Sequence, residues 1–569
     1  MHSYKRLVVR CAIVCMLLMA AGAAFADNSK ISPDLLPLLA NPSNSVNVIV
    51  QYNSPPQTCN AGGLLGGIVC LPVNLLGGVV RVVFSLINAV SGTLLAGDVI
   101  TLSNQSNVSY ISLDRPLIAT LDYTAAAVNA PVAWNSGWDG TGVGIAVIDS
   151  GIYPHADLSG RVVYRQSFVG GAEYDDFGHG THVAGIAAGN GSSSSKTGAF
   201  RTFRGIAPKA NILDLRVLDK NGVSNDSAVI SAIQTAVQLK SKYNVRVINL
   251  SLGRPIYEKC SRDPICQAVD AAWNNGIVVV IAAGNLGRNG YATVLSPGNN
   301  SHAITVGAMK AMDTMGRNDD LIASYSSKGP TWIDLTAKPD VVAPGNMIDS
   351  LLAPGSTLAG MYPGNVVAPS EFTTSTSAGG NLYFRLSGTS MATPAVSGAV
   401  ALMIQKDRTL TPDTIKARLM KTSSKAFPVT SMATDPSTGQ TYVSTYDIFT
   451  VGAGYIDIAA ALANYDVTSK SAASPSVLYY PLLNQGFLNV ANSSVWNSYP
   501  WSQNAVWGSN VLVGGTSIWN ANAVWGTNVA WGTNVAWGTN VAWGTNGASG
   551  TNVAWGTNVA WGTSGNGEK

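Results

Sequence analysis

Charge is what this sequence has least of. Only 11% of its 569 residues are Asp, Glu, Lys or Arg, against about a quarter in an average soluble domain. Disorder driven by self-repulsion is therefore excluded. Lys and Arg number 34 against 31 Asp and Glu, and a net charge of +3 is too small to draw in a phosphate backbone, so no nucleic-acid partner is expected. Histidine (5) and cysteine (6) are also scarce, and without a CxxC pair or clustered histidines a zinc centre has little to build on. Long apolar runs are missing as well: residues 11–23 form the longest candidate, shorter than the roughly 20 needed to span a bilayer. That run follows Lys5, Arg6 and Arg10 and precedes Ala24-Phe25-Ala26, the pattern of a signal peptide over residues 1–26 with a mature chain starting near Asp27. The expected location is secreted, extracellular or associated with the cell envelope. Cys11 and Cys15 leave with that segment, and the remaining local couples, Cys59/Cys70 and Cys260/Cys266, are expected to be disulfides in an oxidising compartment.

The length allows three or four folded units. Residues 46–52, 79–86 and 108–113 are short β-branched runs among Gly- and Pro-rich loops, which predicts a small α+β unit. From about residue 142 to 463, near-continuous apolar strands (143–148, 212–218, 245–252, 277–282) alternate with helical stretches (227–242, 264–274). That alternation predicts an α/β unit with a parallel sheet covered by helices on both faces and ligands at the carboxyl ends of the strands. Residues 471–567 then contain no charged side chain. A linker or irregular extension is expected over 466–500, followed over 501–569 by a repeat of Trp-Gly-Thr-Asn-Val-Ala, with Trp507, Trp519, Trp525, Trp531, Trp537, Trp543, Trp555 and Trp561 spaced by six or twice six.

Three segments of the α/β zone carry reactive side chains. Ala146-Val147-Ile148-Asp149-Ser150-Gly151 leaves a carboxylate where a buried strand ends, as a catalytic group or a turn residue. Gly178-His179-Gly180-Thr181-His182 opens an apolar helix, so that His179 is a base, one of a metal-binding pair with His182, or a core residue. Ser387-Gly388-Thr389-Ser390-Met391-Ala392-Thr393-Pro394 places Ser390 at a helix start, where it is either a cap or a nucleophile facing free N–H groups and the positive end of the helix dipole.

Read together, in the order Asp149, His179, Ser390, the three segments resemble the catalytic motifs of the subtilisin-like serine proteases, the subtilases. Ala282-Ala283-Gly284-Asn285, Ile248-Asn249-Leu250-Ser251-Leu252-Gly253, Ser326-Ser327-Lys328-Gly329-Pro330 and Lys338-Pro339-Asp340-Val341-Val342-Ala343-Pro344-Gly345 extend the resemblance, which runs from about 128 to 465. It implies a subtilisin-like catalytic domain that needs no cofactor for catalysis. Ser390 would be the nucleophile, His179 the base, Asp149 its orienter and Asn285 an oxyanion donor. The substrate would bind extended along Ser251, Leu252 and Gly253, with Ala282, Ala283 and Gly284 as a wall of the first specificity pocket. These small positions favour large apolar side chains, although Leu286 and the loop 287–297 also shape the pocket. Structural calcium is expected, with Asp157 at a position similar to a family ligand.

Residues 27–122 resemble the inhibitory propeptide of secreted subtilases, but the Gly-rich stretch 55–76 with Cys59 and Cys70 stands where that segment's first helix would be; either a disulfide-bridged loop replaces that helix or the propeptide is unusual in mechanism. Self-cleavage is then expected between about 118 and 129. The implied function is a secreted, self-processed serine endopeptidase acting on protein or peptide substrates, with its own propeptide as inhibitor. The alternative is a surface adhesion or structural protein whose protease domain serves its own maturation. A period of six puts Trp, Thr and Val of each repeat on one face of an extended chain, and stacked units would bury a tryptophan row. An ordered β-rich array anchoring the enzyme to an envelope or polysaccharide surface is expected, with an unfolded tail as its rival.

Overall fold

The computed structural model describes residues 27–55, 58–59, 68–69, 79–114, 116–119, 127–171, 174–312, 314, 316–375, 380–435, 439–480, 485–489, 494–501 and 503–507. The expected signal peptide, most of the Cys59/Cys70 loop and the repeat beyond Trp507 lie outside these residues. The chain divides into two compact units, residues 1–114 and 115–569.

The first unit is the expected small α+β fold. Strands β1 (Ser45–Tyr52), β2 (Val79–Phe84), β3 (Ala89–Leu95) and β4 (Val108–Leu113) form an antiparallel sheet in the order β2-β3-β1-β4, with helix α1 (Ala96–Ser103) following β3. Its core joins Val48, Val50, Val90 and Leu94 of the sheet to Val99 and Leu102 of the helix. Within the Gly-rich stretch, Thr58–Cys59 pairs antiparallel with Ile68–Val69, while Cys70 is outside the described residues.

The second unit contains β5 (Pro116–Ala119), β6 (Gly144–Asp149), β7 (Val162–Ser167), α2 (His179–Ala188), β8 (Asn211–Arg216), β9 (Val223–Asn225), α3 (Asp226–Gln238), β10 (Val245–Leu250) and β11 (Leu252–Gly253). It continues with α4 (Pro264–Asn274), β12 (Val278–Ala282), β13 (Ile304–Lys310), β14 (Leu321–Ile322), β15 (Val341–Pro344), α5 (Thr389–Lys406) and α6 (Pro412–Thr422). Its main sheet runs β14-β13-β12-β10-β6-β8-β7, with β15 also on β13. Every pair is parallel except β13 with β14, so the sheet is mixed at one edge rather than wholly parallel. All residues of β6, β12, β13 and β15 are buried, as continuous apolar strands covered on both faces must be. Helices start where the sequence supplies caps: Asp263 accepts from the N–H of Ile265 ahead of Pro264, and Thr411 accepts from Thr414 ahead of Pro412, satisfying donors that the first turn leaves open. Cys260 and Cys266 form a disulfide, as expected from their spacing.

The charge-free segment from 471 is not a linker. Val477 N–H donates to Leu335 O and Ala337 N–H to Pro475 O at 2.8 Å each, and a hairpin of β16 (Ser476–Tyr480) and β17 (Gln485–Asn489) follows. Ser474 Oγ accepts from Lys416 Nζ at 2.7 Å, joining the segment to a buried Lys338–Asp340–Lys416 cluster. Beyond the hairpin, Trp496, Trp501, Val506 and Trp507 are 0–4% exposed, and helix α7 (Gln503–Trp507) packs against α6. Trp496 donates from Nε1 to Ala473 O at 2.8 Å and meets Trp507 edge to face at 5.1 Å. This stretch is packed against the unit, and that packing continues to Trp507 rather than stopping near 465 or 500.

Candidate active site

Asp149 ends β6, between β10 and β8 at the carboxyl end of the sheet. Its carboxylate is 1% exposed, and Oδ1 accepts from Ser150 N–H at 2.7 Å and faces His179 Nδ1 at 2.6 Å. A neutral imidazole beside a carboxylate carries its proton on the facing nitrogen, which leaves Nε2 as a lone-pair base.

His179 is the first residue of α2, and the preceding turn is held by Asp175, which the sequence reading did not single out. Asp175 accepts from Gly178 N–H (2.7 Å), Thr181 N–H (2.9 Å), Thr181 Oγ1 (2.6 Å) and Ser150 Oγ (2.8 Å). Burial pushes its pKa up against those four bonds. Gly178 takes a left-handed φ of 104°, and a Cβ on Gly180 would stand 2.2 Å from Gly151 O. The glycines on either side of His179 therefore let the helix start close against the loop after Asp149.

Ser390 sits in the first turn of α5. Its Oγ donates to Ser251 O at 3.1 Å, and Ser251 Oγ donates to Ser390 O at 2.7 Å. The second bond exists because Pro394 has no N–H to give the carbonyl four residues before it. Ser251 follows Leu250, which pairs with Ile148, so one strand step brings the Ser390 pairing beside Asp149. Asn285 Oδ1 accepts from Thr389 N–H (2.9 Å) and Oγ1 (3.1 Å), and Thr389 Oγ1 accepts from Gly284 N–H at 3.1 Å. With its oxygen so engaged, the Asn285 amide is held in one orientation beside the start of α5. Thr389 went unnoticed as an orienter, although it adjoins Ser390 in the motif.

The strand Leu252–Gly253 is one bank of the cleft. The other is Val223–Asn225 (β9), which sequence reading missed because three residues carry no pattern. The chain's own β5 lies between them as an antiparallel middle strand, with Ala119 opposite Leu252, Ile118 opposite Gly253 and Val223, and Leu117 opposite Ser224. Ala282 ends β12, Ala283 and Gly284 follow it, and Leu295 packs beside Gly284.

His182 and His155 are held in buried structural contacts. Burial holds the pKa of His182 down at about 3, and its Nε2 meets Phe384 O at 2.9 Å, so it forms no metal pair with His179. His155 Nδ1 accepts from Asp157 N–H at 3.1 Å. Asp157 itself does not fit calcium. Its Oδ1 accepts from Ser193 N–H (2.7 Å) and Ser192 Oγ (3.0 Å), and its Oδ2 from Tyr383 OH (2.7 Å). An amide N–H cannot ligate a cation, whose shell is built from oxygens. Among the described residues no three or more His, Cys, Asp or Glu converge as a metal site, and no helix is long and apolar enough to cross a membrane.

Residues 140–447 match the sequence model of the subtilase family, Peptidase_S8. Over 333 residues the chain is 38% identical to serine protease AprX of Bacillus subtilis (strain 168), covering 57% of this chain and 71% of that protein. Thermitase of Thermoactinomyces vulgaris is 34% identical over 313 residues, covering 54% and 91% respectively. Among solved structures, fervidolysin from Fervidobacterium pennivorans, described as a keratinolytic enzyme related to subtilisin, aligns with a TM-score of 0.53 over 76% of this chain and 62% of its own, at 22% identity. That last likeness is one of fold.

Proposed function

From the premise that this chain belongs to the subtilase family and is a serine protease, we propose that it is an exported endopeptidase that first cuts itself from residues preceding its catalytic domain. The observation that carries the reading is β5. A segment of the chain itself runs between the two banks of the cleft in the extended, backbone-paired manner of a bound peptide. At Leu252 this pairing reaches the neighbour of Ser251, whose carbonyl is the partner of Ser390 Oγ. The processing point is proposed to lie shortly after β5, within the expected span of about 118 to 129.

In the proposed reaction His179 Nε2 takes the Ser390 hydroxyl proton as Oγ attacks the peptide carbonyl. Asp149 holds the Nδ1–H and stabilises the imidazolium. The oxyanion forms against the Asn285 amide and the Ser390 N–H at the start of α5. His179 then gives its proton to the leaving amine, releasing the new N-terminus and leaving an ester on Ser390. Water, deprotonated by the same imidazole, hydrolyses that ester and frees the carboxylate. No metal takes part, and the structural calcium expected from the resemblance is not assigned to Asp157.

Export rests on the cationic, apolar and small-x-small pattern of residues 1–26. The repeat beyond Trp507 is proposed to attach the enzyme to an envelope or polysaccharide surface, since uncharged tryptophan at every sixth residue is otherwise an aggregation liability. The test is to purify the Ser390→Ala protein and the parent chain without other proteases. The parent chain is expected to start between about 118 and 129 and to react with a fluorophosphonate at Ser390, while the variant stays uncut. Normal maturation of Ser390→Ala would refute the reading.

A further inference from the structure

Two short strands bank the cleft, and the residue that follows each of them is charged and buried. Arg254 follows Leu252–Gly253 (β11), and Asp226 follows Val223–Asn225 (β9) as the first residue of α3. The two meet as a fork: Arg254 Nε donates to Asp226 Oδ1 and Nη2 to Oδ2, each at 2.9 Å. Arg254 is 1% exposed and Asp226 0%. Between the banks lies β5, with Ile118 opposite both Gly253 and Val223. Two strand spacings of about 4.8 Å each therefore separate the banks, and the ion pair is a direct side-chain link from one to the other.

The guanidinium is also held from behind. Its Nη2 donates to Asp263 Oδ2 at 2.9 Å. Asp263 Oδ2 accepts from Ser296 Oγ at 2.7 Å and Oδ1 from Ile265 N–H at 2.9 Å, inside the loop that the Cys260–Cys266 disulfide closes. The backbone adds two bonds, Arg254 N–H to Ser296 O at 2.8 Å and Ser296 N–H to Arg254 O at 2.7 Å. One guanidinium thus serves two buried carboxylates, and the helix starts offset the excess negative charge. Asp226 opens α3 and Asp263 caps α4, where free N–H groups and the positive end of the dipole favour an anion. With donors engaged on both sides, Arg254 has one geometry, and a lysine in its place could not reproduce the planar fork.

We propose that Arg254 is a positioning residue for the reaction: through Asp226 it holds the two banks at the spacing that admits one extended peptide strand on the N-terminal side of the cut bond. The inference rests on the reading of this cleft as the place where Ser390 cleaves a peptide. Ser251, whose carbonyl partners Ser390 Oγ, precedes Leu252, so β11 runs away from the nucleophile towards Arg254. The ion pair therefore acts on substrate residues upstream of the cut, and touches neither Ser390, His179 nor Asp149. When the pair is weakened, backbone pairing of those upstream residues suffers while the chemistry at Ser390 is kept. One or two weakened hydrogen bonds correspond to about ten-fold in affinity. A role in stability alone would lower the amount of active enzyme and leave its preference for long substrates unchanged.

The test compares a peptide carrying several residues before the cleaved bond with an ester of a single acylated amino acid, which reaches Ser390 without lying between the banks. The enzymes are the parent, Asp226→Asn and Arg254→Lys, each titrated with a fluorophosphonate so that rates refer to active Ser390. Asp226→Asn is expected to raise KM for the peptide about ten-fold, with its kcat and the ester kcat/KM each within about two-fold of the parent. Arg254→Lys keeps a cation between the two carboxylates but loses the fork, and is expected to raise the peptide KM about three-fold; it decides the matter where Asp226→Asn does not fold. An unchanged ratio of peptide to ester kcat/KM in a labelled variant, an equal fall on both substrates included, overturns the proposal. So does a labelled parent that gains less than about ten-fold in kcat/KM from the upstream residues, whatever the variants do. Absence of both labelling and cleavage in the parent would instead overturn the protease reading.

Discussion

Replacing Trp507 with alanine strikes a contact far from the catalytic residues and is expected to cost the catalytic unit much of its stability. Trp507 is 4% exposed and its ring stands edge to face on Trp496, itself 0% exposed and anchored to Ala473 O. Truncating a buried tryptophan to alanine costs about 3–5 kcal/mol, cavity included, of which about 0.5–1.5 kcal/mol belongs to the aromatic pair. At roughly 2–4 °C per kcal/mol in a large domain, Tm falls by at least about 6 °C. A stop after Pro500 is expected to do more, since it also removes Trp501, over which Lys421 Nζ stands at 5.3 Å. A stop after Trp507, which deletes the rest of the repeat, is expected to leave Tm within about 2 °C, because it removes none of these contacts. The measurement is calorimetry in a Ser390→Ala background, so that self-digestion does not enter the transition. An unchanged Tm in Trp507→Ala, or an equal loss in the stop after Trp507, would refute the assignment of residues 472–507 to the catalytic unit.

Two further substitutions separate orientation from structure. Thr389→Val removes the hydroxyl that Asn285 Oδ1 and Gly284 N–H share; kcat is expected to fall roughly ten-fold with KM little changed, against the 10²–10³ lost with the donor itself in Asn285→Ala, and a fall in KM affinity alone would count against this role. His182 shows itself in pH dependence. Burial, and secondarily the adjacent His179, keep it neutral down to about 3 against an ordinary 6.5, so between those values the unfolded chain holds one more proton than the folded one. Its contribution is present above pH 6.5 and is lost as pH falls, at most about 1.4 kcal/mol per pH unit. His182→Gln, which keeps a donor for Phe384 O, should flatten the slope of unfolding free energy between pH 6 and 4 by up to one proton, and an unchanged slope would contradict the burial argument.

Much of the candidate site was legible because its chemistry is written in short, local segments. Asp149 must end a buried strand, His179 must open a helix between glycines, and Ser390 must stand in a helix first turn with Pro394 four residues on; each demand is met by neighbours in the chain. The same holds for the α/β alternation and for the Cys260–Cys266 bond, which closes over six residues. Asp175, Thr389 and the bank Val223–Asn225 escaped notice because their roles lie in what they touch, and an Asp, a Thr or a three-residue strand is compatible with any loop.

The sequence by itself determined the identities and order of the reactive groups, because a proton transfer needs particular side chains and a strand or helix end needs particular backbone partners. Tertiary structure alone decided three other matters. Arg254 reads as one more surface cation until Asp226 and Asp263 are brought against it. Asp157 reads as a calcium ligand until Ser193 N–H and Tyr383 OH arrive from 36 and 226 residues away to occupy its oxygens. The uncharged stretch after 471 reads as a linker until its tryptophans meet α6. In each case the deciding quantity is the space or the hydrogen bond that a distant segment leaves or takes, and composition and spacing carry no record of it.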